Sequence, residues 1–358
     1  MKKGSFSLGY RMILLLILLS LLLGCNSKGA RSAQQLPDVH SGTMGLEMGF
    51  LKNTPPKLVF EQSSFPIILR IRNLGASAIP NPENPFIGDK QAILSLGLET
   101  DYIQALSVEE GGRVVSTNPS DPLSNEAQFS IEGKSLINLK GDEEVISYTV
   151  TPARIDPQSE THQSLAIATL CYPYQTELVS TVCIDPDPSN IRLLKKSCKA
   201  EDLSFPSGQG APVAIAKVEV QMLPNQQGTI RPQFLVTVEN RGKGDVTKIG
   251  SYDSICRGRS GTATIRDLNG VKMEAYLSGQ ALECYLRDEG LKIDGGQKDE
   301  YVRLVGKSDV VRCTYPTKAP QQILQSTETY TAPLRILLTY GYTQSESIEY
   351  TIKKISVN

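Results

Sequence analysis

Leu46, Met48 and Phe50 share one side of an alternating run, with Glu47 and Gly49 on the other. Ile67, Leu69 and Ile71 repeat the pattern against Arg70 and Arg72, and Asn73-Leu74-Gly75 follows. A period of two is that of a strand with one buried face. Asn and Gly are residues that turns favour, so each run predicts a strand and the second a turn after it. The phrase returns downstream: Phe234, Val236 and Val238 alternate with Thr237 and Glu239, and Asn240-Arg241-Gly242 closes the run. Every matched position, from Ile67 with Phe234 to Gly75 with Gly242, keeps one constant offset along the chain.

Two further matches accompany this one. Upstream, Leu46-Glu47-Met48 resembles Val218-Glu219-Val220. Downstream, Ala166, Ala168, Leu170, Tyr172 and Tyr174 occupy one face of a strand. Leu334, Ile336, Leu338, Tyr340 and Tyr342 repeat that face, at an offset a single position longer than that of the Asn-x-Gly pair. Ordered matches at a nearly constant offset indicate a duplicated unit. Residues 199–211, KAEDLSFPSGQGA, predict a linker between the copies. Each copy is longer than the ~100 residues of a minimal seven-strand sandwich, and residues 109–126 predict a long loop that takes up part of the excess. The tyrosines lie on the same face as Leu170 and Leu338, which predicts core packing and not a binding site.

The alternating segments begin only after a different kind of sequence. Lys2, Lys3 and Arg11 precede an apolar run over residues 12–23 that only Ser20 interrupts. A basic start, a short apolar core and a small residue before the cut describe a secretory signal peptide. The run is shorter than the ~20 residues a spanning helix needs. Leu22-Leu23-Gly24-Cys25 closes it and resembles the lipobox of bacterial lipoproteins, which some archaeal proteins share. That resemblance implies removal of residues 1–24, a lipid on the Cys25 thiol, and a place on the extracytoplasmic face of the cell membrane. Residues 25–43, polar and without period after the cysteine, predict a flexible tether, with 44–198 and 212–358 as the folded domains.

Composition narrows the function classes. The chain has 29 Gly and 21 Pro and no Trp. That density of turn formers, without long amphipathic helices, predicts many short strands. Loss of the three leader cations from 37 Lys and Arg leaves 34 against 38 Asp and Glu. So mild an acidic balance argues against nucleic acid as a partner, since phosphate neutralisation needs a basic patch.

Six cysteines follow Cys25: Cys171, Cys183, Cys198, Cys256, Cys284 and Cys313. An even number in an exported chain predicts disulfides. Alternation points Cys171 and Cys183 away from the core. With a turn at residues 175–178 they would face each other across a hairpin, with Cys198 as the rival partner for Cys183. Three cysteines precede the linker and three follow it, so full pairing needs an odd number of bridges between the halves. Cys198 to Cys256 is the expected crossing, with Cys284 to Cys313 inside the second half.

Catalytic signatures are missing. There is no G-x-S-x-G, H-E-x-x-H or phosphate loop. The chain has only two histidines. His40 falls in the tether, and His162 reads as a solvated turn residue just before a strand. With no CxxC spacing and so few imidazoles, zinc is not expected. Asp185, Asp187 and Asn190 could supply oxygen ligands to calcium, but calcium usually takes about six or more. A stiff Pro-rich turn is the competing reading. No cofactor and no catalytic residue is assigned.

Val236-Thr237-Val238-Glu239-Asn240-Arg241-Gly242, and more loosely Leu69-Arg70-Ile71-Arg72-Asn73-Leu74-Gly75, resemble the immunoglobulin-like domains of prokaryotic surface proteins, including the cell-adhesion-related (CARDB) type. There an early strand ends in Asn-x-Gly and a later apolar strand closes the sandwich. The resemblance implies an all-β chain of two tandem immunoglobulin-like β-sandwich domains. It also implies a non-enzymatic binding, adhesion or structural module, with a surface protein or glycan as partner. The alternatives are an accessory subunit of an envelope assembly complex and an envelope hydrolase whose site forms only in the fold.

Overall fold

The computed structural model describes residues 38–110, 113–115, 125–189, 191, 196–224, 230–257, 264–285, 301–316 and 328–355. The expected signal peptide, Cys25, most of the expected tether and Asn190 lie outside the described residues. The first copy contains β1 (Leu46–Phe50), β2 (Leu58–Phe60), β3 (Phe65–Asn73), β4 (Ala92–Gly97), β5 (Ile103–Glu110), β6 (Arg113–Val115), β7 (Glu126–Phe129), β8 (Glu143–Pro152) and β9 (Thr161–Ile184). The second contains β10 (Leu203–Ser204), β11 (Val213–Pro224), β12 (Ile230–Asn240), β13 (Asp245–Thr247), β14 (Gly270–Leu277), β15 (Gln280–Ala281), β16 (Glu283–Tyr285), β17 (Tyr301–Arg303), β18 (Ser308–Thr314) and β19 (Tyr330–Lys353), with one short helix α1 (Tyr252–Cys256). The fold is almost entirely β, as the alternating pattern requires. Strands β5, β6 and β7 take up parts of the loop expected at 109–126; residues 111–112 and 116–124 lie outside the described residues.

Each copy builds an outer sheet, ordered β1-β3-β8-β5-β6 in the first and β10-β11-β12-β18-β16 in the second. The inner strands of both copies merge into one sheet, β15-β14-β19-β9-β4-β7, with β13, β17 and β2 on its margins. The fusion runs through β9 and β19, which pair antiparallel along their whole length, from Thr161↔Lys353 to Ile184↔Tyr330. Pro173 lies opposite Gly341 at the middle. These two occupy the same position of the repeat, so the pairing has a local two-fold axis there. The pairing with β4 ends at Cys171, so Pro173 breaks no ladder on that side.

Even-numbered residues of β9 pair with even-numbered residues of β19, so one face of the fused sheet is continuous. That face carries the core, a single cluster running through both copies. At its centre Tyr172, Tyr174, Tyr340 and Tyr342 are at most 1 % exposed. Their rings form a closed set, with centroids 5.6 Å apart for Tyr172–Tyr174 and Tyr172–Tyr342 and 6.4 Å for Tyr174–Tyr340 and Tyr340–Tyr342. Tilted and edge-on pairs of this kind add about 0.5–1.5 kcal/mol each beyond area burial.

Four buried hydroxyls need partners, and the outer sheets supply them twice over. Tyr174 donates to Asn73 Oδ1 at 3.1 Å and Tyr342 to Asn240 Oδ1 at 3.2 Å. Tyr172 accepts from Leu46 N–H and Tyr340 from Val213 N–H, both at 3.3 Å. Gln344 donates to the Leu46 carbonyl and Thr176 to that of Val213. The Asn-x-Gly signature thus caps a tyrosine. Each Asn also turns the chain, accepting from Gly75 N–H or Gly242 N–H at 3.1 Å. The glycine is required by close approach: a Cβ on Gly75 would sit 1.9 Å from the Tyr174 hydroxyl, and one on Gly242 2.2 Å from that of Tyr342.

These contacts also reset the upstream alignment. Leu46 pairs with Asn73 as Val213 pairs with Asn240. The counterpart of Leu46 is therefore Val213 and not Val218. A bulge between Ile215 and Lys217 displaces the later residues of β11, which obscures the match in sequence.

The expected linker is a packed segment. Leu203 and Ser204 pair with β11, Gln209 is buried, and Gly42 and Gly210 exchange backbone hydrogen bonds with residues across the segment at 2.8 Å. Asp38 onward forms one compact unit, and the end of the expected tether, 38–43, belongs to it.

Three disulfides form: Cys171–Cys256, Cys183–Cys198 and Cys284–Cys313. The Cys171–Cys183 hairpin does not exist. No turn interrupts β9, so its two cysteines lie twelve positions apart in one strand, roughly 40 Å, far beyond disulfide reach. Cys171 takes the crossing role expected of Cys198. Its side chain leaves the tyrosine-free face toward α1, whose Tyr252 packs over Gly341.

Non-reducing peptide mapping should recover these three pairs, and Cys256→Ser should cost roughly 2–5 kcal/mol of stability in denaturant melts because the bridge closes a long loop. Gly242→Ala should cost about 1–3 kcal/mol by overpacking, and a Tyr342→Phe background should recover part of that loss, giving a non-additive double-mutant cycle. Burial pushes the Tyr342 phenol up to about 12 and raises Tyr172, Tyr174 and Tyr340 as well. An unfolded tyrosine titrates near ~10, so the folded state binds these protons more tightly. Their contribution is complete below pH ~10 and is lost above it, for Tyr342 as pH rises through about 12. Melts at rising pH should show stability falling above pH ~10, with tyrosinate absorbance of the four appearing only as the protein unfolds.

Candidate functional site

Two concavities flank the fused sheet. The larger, about 600 Å³, runs along β1 and is walled by both copies. Strand β1 lends it Glu47 and Gly49, β3 lends Arg70 and Arg72, the turn after β12 lends Arg241 and Lys243, and β19 lends Gln344 and Glu346. Tyr172 and Tyr342 also line it. Strand alternation explains the cations: Ile67, Leu69 and Ile71 go to the core, which sends Arg70 and Arg72 outward.

Some of this charge is already paired. Arg72 Nε donates to Glu47 Oε2 at 3.1 Å, and that carboxylate holds the guanidinium pKa above its usual value. Arg241 Nε donates to Glu239 at 3.0 Å, and its Nη1 donates to the carbonyls of Phe205 and Pro206 at 3.0 Å. It ties the turn to the segment joining the copies. Arg70 and Lys243 are exposed, with no ion pair among the described residues. The groove therefore presents unneutralised positive charge beside a strand edge.

The second cleft, about 510 Å³, is acidic: Glu83, Glu132, Glu177 and Glu274 line it with His40 and Arg335. Arg335 is bound to Glu177 at 2.6 Å. Asn84 braces it by donating to Gln175 at 2.8 Å and to Thr339 at 2.9 Å. Thr339 is the repeat position of Cys171, so a hydrogen bond here stands where the other copy has the Cys171–Cys256 bridge. His40 lines this cleft, and its backbone N–H donates to Asp38 Oδ1 at 3.0 Å.

The remaining candidates separate. His162 is not in a turn but near the start of β9, stacked on Tyr102 at 3.7 Å and bonded to Glu99 at 2.7 Å. Asp185 is buried and bound to Lys196 at 2.5 Å, and Asp187 accepts from Ile191 N–H at 2.9 Å. A lysine in the pair occupies the place that a calcium ion would need. Among the described residues no three acidic, Cys or His side chains are grouped to hold a metal, and no helix is long and apolar enough to cross a membrane. Sequence reasoning missed the groove, although Arg70, Arg72 and Lys243 flank the two Asn-x-Gly signatures it had singled out.

No protein-family model matches the chain, and no curated protein matches it. Among solved structures, it is similar to the C-terminal domain of the Streptococcus pyogenes antigen I/II-family protein AspA, at 8 % identity and a TM-score of 0.22, over 87 % of this chain and 100 % of that one. A structure titled BspA_C_mut is similar at 8 % identity and 0.22, over 87 % and 97 %. A DUF4466 family protein from Parabacteroides merdae follows at 11 % identity and 0.15, over 82 % and 99 %. Scores this low carry no argument about the function of this chain.

Proposed function

We propose that this chain is an exported envelope protein, held on the extracytoplasmic face of the cell membrane by a lipid on Cys25. Its folded part acts as a non-enzymatic binding or structural module. The observation that carries the reading is the β1 groove, a preformed concavity on a cross-linked scaffold. Among the described residues its exposed charged side chains outside any ion pair are Arg70, Lys243 and Glu346, set beside open strand backbone, a lining suited to recognition. Three disulfides support an oxidising compartment, and the lipobox supports the anchor. The partner is a surface protein or glycan at the same envelope.

Two measurements test this. Cys25→Ser should leave product that takes up no labelled fatty acid or isoprenoid and is released from membranes; normal labelling of that variant would sink the anchor. Cross-linking of intact cells followed by purification of the chain should recover a discrete partner, and recovery of the chain alone would sink the binding role.

A further inference from the structure

The two copies differ at one place that leaves backbone open. In the second copy, Val213 turns its N–H and C=O away from β12, toward Tyr340 and Thr176. Two residues on, Ile215 does the same, and one side chain closes both groups. Ile215 N–H donates to Gln209 Oε1 at 2.9 Å, and Gln209 Nε2 donates to the Ile215 carbonyl at 3.1 Å. Beyond it Phe205 N–H donates to the Ala216 carbonyl at 2.9 Å, and β10 pairs with Lys217 and Val218.

The first copy repeats only the first of these steps. Tyr172 and Gln344 take the Leu46 groups. Gly45 and Leu51 bond to the β3 side, to Leu74 and Ile68. That sets the parity of the antiparallel ladder. Met48 and Phe50 therefore aim their N–H and C=O groups at the outer edge, and nothing among the described residues pairs with them. These groups face the 600 Å³ groove. The floor differs too: the repeat counterpart of the buried Leu178 is Glu346, which is exposed.

We propose that the open edge of β1 receives an extended acidic peptide segment of a partner protein, which adds to the outer sheet as a further strand. The inference rests on the binding-module reading and names the partner chemistry of its groove. Two N–H and two C=O groups on Met48 and Phe50 supply the backbone bonds, as strand addition to a sheet edge requires. Arg70 and Lys243, exposed and without an ion pair among the described residues, supply the charge preference. The chain's own residues 26–37 carry Lys28 and Arg31 and no acid, so charge argues against them as the occupant.

The test uses the mature chain from residue 25 on, with fluorescein-labelled peptides of alternating Glu and Val. Controls are the same peptide with Lys in place of Glu and a copy N-methylated on one backbone edge. The Glu peptide should bind by anisotropy and slow amide exchange at Met48 and Phe50, whereas the Lys and N-methylated peptides should not bind. Arg70→Glu combined with Lys243→Glu, both at exposed positions, should weaken binding by about tenfold or more at low salt. Absence of Glu-peptide binding, binding without protection at Met48 and Phe50, or protection produced by a concentration-dependent dimer would each overturn the proposal. A partner still cross-linked on cells by the double variant would overturn the edge and leave the binding role standing; a chain that cross-links to nothing would remove both.

Discussion

The antiparallel pairing of β9 with β19 is the constraint on which the rest of the structure depends. Two copies of a sandwich could have been joined end to end. Instead, the inner strand of each lies along the whole of the other, centred on Pro173 and Gly341. Matched parity makes one continuous apolar face, so both outer sheets must cover it, and four tyrosines meet where the copies join. Their hydroxyls are buried too deeply for solvent, and an unsatisfied hydroxyl there would cost about 1–3 kcal/mol. Asn73 and Asn240 meet that need while they end β3 and β12. A surface turn and the centre of the core are thus one construction, and Gly75 and Gly242 are the clearance that lets the phenol reach it.

Duplication then makes the molecule its own control. Positions that keep the repeat are those that close the core: the Asn–Tyr bonds, the bonds from Leu46 and Val213, and the contributions of Gln344 and Thr176. Positions that break it lie on surfaces. One copy clasps the fused sheet with Cys171–Cys256 and the other with Asn84–Thr339. One copy seals its edge with Gln209, and the other leaves Met48 and Phe50 open. Where two copies face the same folding problem and only one solves it, the unsolved edge is the place to look for a partner.

Much of this was legible in the residues. The period of two and the Asn-x-Gly repeat describe the structure correctly. Cys171 and Cys183 do leave the tyrosine face, but both are buried there, Cys171 in a second cluster with Ile93, Tyr252 and Cys256. The parity of three cysteines per copy requires the one crossing bridge that forms. What failed was inference of length and of neighbours. Strands usually run about 3–10 residues, so a run as long as β9 read as two strands with a turn at 175–178, although no Gly or Pro stands there. That invented turn produced the wrong cysteine pair. The bulge in β11 hid the match of Leu46 with Val213, and without that match the open edge has no counterpart against which it can be noticed. Residues 199–211 look like a linker because Ser, Gly and Pro serve tight turns as readily as loose ones; burial of Gln209 is a tertiary fact with no local signal.

An exposed strand edge is a hazard that folded proteins normally blunt with short length, charge or cover. Strand β1 is short and is flanked by Arg70, Arg72, Arg241 and Lys243. Two copies docking β1 to β1 about a two-fold axis would bring those cations together. Glu47 and Glu239 already neutralise Arg72 and Arg241, Glu346 offsets one more charge, and the like charges that remain would be unfavourable face to face. The same cations lower the energy of an incoming strand that carries acids. The charge that guards the edge against self-pairing therefore also selects its occupant, and the free backbone groups of Met48 and Phe50 stay available without making the protein prone to polymerise through them.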